Sequence, residues 1–166
     1  MKKIIYMMTA LLAVTLVGCK PAPVPTPHSE MTVFVNGIGA IARDTTIVVH
    51  DAEMNILTGE MTMGVSGDIR MSVTPLKVIV TRSATDRIDE FCAAGTCTIT
   101  DGEPVQELKF VYGADIPDTE YTSSVDWYAH YILPDEGDTD YVISYQFINH
   151  DRNVTLTIHY DYQENK

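Results

Sequence analysis

The chain is poor in positive charge, in cysteine and in helical periodicity. Eleven Lys and Arg stand against 23 Asp and Glu in 166 residues, a formal net charge of −12. From Asp115 onward the basic side chains Arg152 and Lys166 face eleven acids. Such a surface repels phosphate backbones, which excludes nucleic acid as the expected partner, and it opposes docking on anionic lipid by charge alone. Three cysteines, Cys19, Cys92 and Cys97, leave no second pair for a four-sulfur zinc site. No Ser or Cys lies in a nucleophile-elbow pattern and no His-Glu-x-x-His occurs, so the expected catalytic set is none. Beyond the leader no segment keeps a helical period for three turns, which turns the expectation away from helical folds.

A single long apolar run opens the chain. Lys2 and Lys3 precede Ile4 to Val17, a stretch shorter than the roughly 20 residues that span a bilayer. The layout is that of a secretory signal, ending in Leu16-Val17-Gly18-Cys19. This resembles the lipobox of bacterial lipoproteins. The resemblance implies lipidation of the Cys19 thiol, cleavage before it and acylation of the new N-terminus, hence a lipid-anchored protein of the cell envelope. Lys20, with no acid beside it, turns the expectation toward the outer membrane. More than one acyl chain makes such an anchor stable. Residues 1–18 are then the signal peptide, and their removal takes the net charge from −12 to −14, because no acid lies there.

Residues 19–30 read as a tether. Pro21, Pro23, Pro25 and Pro27 alternate with other residues, which forbids helix and favours polyproline geometry at about 3.1 Å per residue, a stand-off of roughly 30 Å.

Residues 31–166 read as one domain, of ordinary size for a single core. Period-two alternation predicts strands at 32–36, 45–50, 60–65, 69–73, 76–82, 97–100, 105–112, 125–133, 141–149 and 153–162. Turn residues separate them, Ser66-Gly67-Asp68 and His150-Asp151-Arg152 included, and single helical turns are expected at 38–42 and 85–91. Tyr141, Ile143, Tyr145 and Phe147 share one face; so do Val154, Leu156, Ile158 and Tyr160, and Val125, Trp127, Ala129 and Tyr131. Many short strands at this spacing predict an all-β antiparallel sandwich.

Cys92 and Cys97, exported from the reducing cytosol, are expected to form a disulfide. Four residues lie between them, unlike the two of thioredoxin-like motifs. Met54, Met61, Met63 and Met71 near His50 invite a copper(I) reading, and the run from His50 to Met63 resembles the opening of the metal-binding signature of periplasmic copper chaperones. That family's downstream His-x-Met is absent here, so core packing is preferred and the expected metal ligands are none. The acidic run Asp135 to Asp140 offers oxygen ligands for calcium but lacks EF-hand spacing. His130, His150 and His159 form a catalytic group only if the fold gathers them, and Tyr121 and Tyr128 are the outward aromatics for a sugar platform. No cofactor is expected.

Asp89-Glu90-Phe91-Cys92 running to Cys97, then Asp126-x-x-x-His130-Tyr131-x-x-Pro134, Gly137 and Tyr145-x-Phe147, is similar to Ig-like β-sandwich domains of secreted and surface proteins in Bacteroidetes. Ala93 stands where such domains often carry an aromatic. The resemblance implies an Ig-like fold at a surface or in the periplasm, and no enzymatic activity. The expected function is a non-enzymatic, lipid-anchored binding, adhesion or assembly module of the envelope with a protein or glycan partner. A metal carrier for copper or calcium, or a hydrolase, stands as the alternative.

Overall fold

The computed structural model describes residues 31–71, 76–99, 102–110, 123–136 and 139–163; the leader, Cys19 and the tether lie outside them. Two sheets face each other. The first contains β1 (Met31–Val35), β2 (Gly39–Ile41), β4 (Glu53–Met54), β5 (Met61–Met71), β7 (Ile88–Ala93), β8 (Thr96–Ile99) and β10 (Ser123–Ile132), in the order β2-β1-β5-β10-β7-β8 with β4 beside the start of β5. The second contains β3 (Thr45–Val49), β6 (Leu76–Arg82), β9 (Val105–Phe110), β11 (Tyr141–Asn149) and β12 (Arg152–Tyr160), in the order β3-β12-β11-β6-β9.

Without the short additions, β1, β5, β6, β7, β10, β11 and β12 follow in chain order as strands A to G. They occupy the spatial orders A-B-E-D and G-F-C, which is the constant-type immunoglobulin arrangement. The fold is therefore an all-β Ig-like sandwich. One pair departs from the antiparallel expectation: β3 runs parallel to β12, with Thr45 opposite Leu156 and Val49 opposite Tyr160. From the β1–β2 hairpin in the first sheet the chain thus crosses to the edge of the second.

Alternation carries the core. Every second residue from Tyr141 to Asn149 and from Val154 to Tyr160 is buried, as are Val125, Trp127, Ala129 and Tyr131 of β10. Aromatic rings bridge the sheets: Phe91 lies 5.0 Å from Tyr145 and Trp127 5.5 Å from Phe147, centroid to centroid. Both separations suit tilted aromatic pairs.

Three expectations give way. The stretch 38–42 holds β2 (Gly39–Ile41), not a helical turn, and in 85–91 three bend residues, 85–87, lead into β7, which already takes in 88–91. Ser66-Gly67-Asp68 is no turn but the middle of an eleven-residue strand. Gly67 is there because a Cβ would sit 1.8 Å from the Phe34 carbonyl oxygen, and the Trp127 indole nitrogen crosses this gap to donate to that oxygen at 3.3 Å. Here glycine admits a neighbouring backbone rather than ending a strand. The turn between β11 and β12 is His150-Asp151, with Arg152 already paired to Asn149.

A candidate binding site at one end of the sandwich

Strand β5 fixes two ends. Its last residue, Met71, pairs with Met31 and Ser123; its first, Met61, pairs with Met54 beside the β4–β5 turn. Eleven residues at about 3.3 Å each separate these ends by roughly 33 Å.

The β4–β5 turn is tied by its own backbone and by the side chains of Asn55 and Thr58. Asn55 Oδ1 accepts the amide of Leu57 at 3.0 Å, the Asn55 carbonyl accepts Gly59 N–H at 2.7 Å, and Asn55 N–H donates to Glu60 O at 2.8 Å. This local pattern is what Asn supplies in turns. It holds Ile56 and Leu57 outward, 94% and 96% exposed, beside Met54 at 64%. Large apolar side chains this exposed, next to one another, mark interaction sites.

A cavity of ≈ 620 Å³ opens beside this tip, lined among others by Thr58, Glu60, Met61, Ile88, Leu133 and Tyr162. Its charged lining residues are Glu60 and Asp135, with no Lys, Arg or His among the described residues. Apolar walls with a few polar groups are the usual make-up of a binding cleft.

Behind this cleft the sheets are clamped by a buried ion pair. Arg82 of β6 donates from Nε to Asp89 Oδ1 at 2.7 Å and from Nη2 to Oδ2 at 3.0 Å. Tyr141 OH donates to Asp89 Oδ1 at 2.8 Å, and Arg82 Nη2 also reaches Gln106 Oε1 at 2.9 Å. Asp89 directly follows Ile88, a wall of the cleft, so the clamp fixes that wall. Despite desolvation, the bond and charge of Asp89 hold the Arg82 guanidinium above its ordinary pKa. Burial, then the Asp89 charge, pushes the Tyr141 and Tyr160 phenols up; burial, then neighbouring Tyr160, does so for Tyr145. The local sequence pattern hides this pair, because its partners sit on different sheets.

The expected residues fall elsewhere. Cys92 and Cys97 form a disulfide with S–S 2.02 Å, joining β7 to β8. Met63 and Met71 are buried core residues, as packing predicts, while Met54 and Met61 face each other at the tip; His50 Nδ1 lies 2.9 Å from Asp161 O. His130 is on the outer face of the first sheet and His159 on that of the second, where it meets Asp140 at 3.0 Å. His150 occupies a turn at the opposite end from the cleft. The three histidines are not gathered. Asp135 edges the cleft, Tyr128 lies over the disulfide, and Cys19, Tyr121, Gly137 and Asp138 lie outside the described residues.

No protein-family model and no curated protein matches the chain. Among solved structures, the crystal structure of the CFA/I enterotoxigenic E. coli adhesin CfaE mutant G168D is similar at TM-score 0.42 and 8% identity, over 81% of this chain. The chain spans about half of that one, 49%. A likeness at this level says nothing of function.

Proposed function

We infer that this protein is a non-enzymatic, lipid-anchored binding module of the bacterial envelope, and that it presents the Met54-Ile56-Leu57 tip and its cleft to a protein partner. The observation that carries the reading is the opposition of two ends: Met31 lies at one end of β5 and the apolar tip at the other. A tether leading from Cys19 to Met31 places the tip on the far side of the domain from the membrane. The spacer adds roughly 30 Å and the domain roughly another 33 Å. The outer membrane is the reading that Lys20 supports.

Charge narrows the partner. Glu60 and Asp135 line the cleft, Glu53 sits beside Met54 in β4, and among the described residues no cation lines the cleft. The complementary surface is an apolar pocket rimmed by Lys or Arg, which steers association and fixes orientation. Ile56 and Leu57 fill that pocket as anchors.

The test is capture from detergent-solubilised envelope with the full lipidated chain. The expected result is a partner whose recovery falls at least tenfold with Ile56→Ser/Leu57→Ser, whose surface positions leave the fold intact. Equal recovery by both chains overturns the reading.

A further inference from the structure

A second constellation lies on the outer face of the first sheet. Cys92 pairs in register with Cys97 on one side and Tyr128 on the other; Glu90 pairs with Ile99 and His130. Adjacent strands and a two-residue step therefore bring Glu90, Cys92, Cys97, Tyr128 and His130 onto one patch. A Glu90 carboxylate oxygen and the two sulfurs lie within 4.8 Å of one another. The Tyr128 hydroxyl is 3.1 Å from Cys97 Sγ, and His130 Nδ1 is 4.0 Å from Glu90 Oε2. The other edge of that imidazole lies against Gly64, where an added Cβ would meet Cδ2 at 2.7 Å, so the ring turns Nδ1 toward Glu90.

We propose that this patch is a redox-gated site for a zinc-like divalent cation, formed by Cys92, Cys97 and Glu90 once the disulfide is reduced. Reduction by a dithiol breaks the S–S bond with two electrons and two protons; two thiols form, and the dithiol closes its own disulfide. The cation then binds both sulfurs as thiolates, and the two thiol protons leave to water.

The donor set suits that class of ion. Two thiolates and a carboxylate are zinc ligands, and thiolate sulfurs on one tetrahedral zinc sit about 3.8 Å apart. Cys92 and Cys97 are register partners on adjacent strands, so once the disulfide is open both side chains still start from one spot and turn their sulfurs to one ion. Three protein ligands leave a fourth position to water. A Tyr128 hydroxyl donated to Cys97 favours the thiolate, and a ligating carboxylate with a histidine beside it is held in orientation. Cys97 is exposed while Cys92 is buried, so the dithiol and the ion both arrive from the Cys97 side. While the disulfide stands, both sulfurs are taken and the site is closed.

The experiment uses the full chain reduced with a water-soluble phosphine, which converts the disulfide and a water into two thiols and a phosphine oxide. Cobalt(II) is titrated as the probe and far-ultraviolet circular dichroism is followed in parallel. The expected result is a thiolate-to-cobalt charge-transfer band saturating at one ion per chain, absent from the oxidised protein, with at least tenfold weaker binding in Glu90→Gln. Absence of the band, an affinity unchanged in Glu90→Gln, or loss of the β-sheet signal on reduction each overturns the proposal.

Discussion

Arg82 and Asp89 join the two sheets through a two-pronged ion pair whose side chains are each 1% exposed. It sits where β6 ends and β7 begins, at the cleft end of the sandwich. Desolvating two charges is costly, so the pair contributes less to net stability than to fixing one arrangement of the sheets. Removing one partner leaves the other charge buried and uncompensated.

Arg82→Met is therefore expected to destabilise by about 3–5 kcal/mol. Adding Asp89→Leu to it is expected to recover most of that loss, because no buried charge then stands alone. Urea unfolding of the two variants checks the pattern; a double variant no better than the single one contradicts it.

Alkaline pH is expected to unfold the domain. Burial raises the Tyr145 and Tyr160 phenols above their ordinary pKa, so they stay protonated in the folded state while the unfolded chain ionises near pH 10. The unfolded state then binds fewer protons, and stability falls as pH rises: it is complete below about pH 10 and declines above, by about 1.4 kcal/mol per pH unit for each phenol. Reversible denaturation at pH 9, 10 and 11 measures the slope. Tyr145→Phe is expected to flatten it and, because Tyr145 OH is buried with no hydrogen-bond partner among the described residues, to gain about 1 kcal/mol at neutral pH.

Gly67→Ala is expected to cost about 3 kcal/mol or more, since its Cβ meets backbone at Phe34 and cannot be accommodated by a side-chain shift. Gly64→Ala meets the His130 imidazole, which rotates away, and the Ala129 carbonyl oxygen only at an ordinary 3.8 Å, so a smaller loss is expected. Thermal melts of the two rank them; the reverse order refutes the steric account.

Asn55→Ala is expected to weaken partner capture with Ile56 and Leu57 still in place, because Asn55 Oδ1 adds the side-chain tie to Leu57 N–H at the tip while the backbone bonds of the turn remain. The stability change is expected to stay within about 0.5–1 kcal/mol, the scale of a single surface hydrogen bond. Capture unchanged from wild type shows that the tip binds without being held in shape.

Cys92→Ser/Cys97→Ser is expected to cost about 2 kcal/mol and no more, since closing so short a loop removes little entropy from the unfolded chain. Denaturant midpoints read this directly.

The sequence made the last third of the domain legible because its alternation is uninterrupted: Tyr141–Asn149 matches its expected bounds, as does Leu76–Arg82 earlier in the chain. Elsewhere local chemistry misled. Ser66-Gly67-Asp68 has turn residues, yet Gly67 answers to a neighbouring strand's carbonyl, which nothing nearby in the chain reveals. Strand β7 was hidden because Asp89 and Glu90 interrupt its apolar pattern; Asp89 is tolerated inside only because Arg82 meets it. The candidate site was harder still. Ile56 and Leu57 look like ordinary apolar residues until their exposure is known, and the available signal was their position between Asn55 and Gly59, two turn residues enclosing an apolar pair.

The parallel pairing of β3 with β12 bears on mechanics. Tension between Met31 and a partner held at Leu57 runs along the strands. Five register pairs between β1 and β5, and five between β3 and β12, would then resist sliding together instead of opening one by one like a zipper. A domain wired this way withstands pull along its long axis better than pull across it, which is the direction a tethered molecule feels when its distal end is dragged.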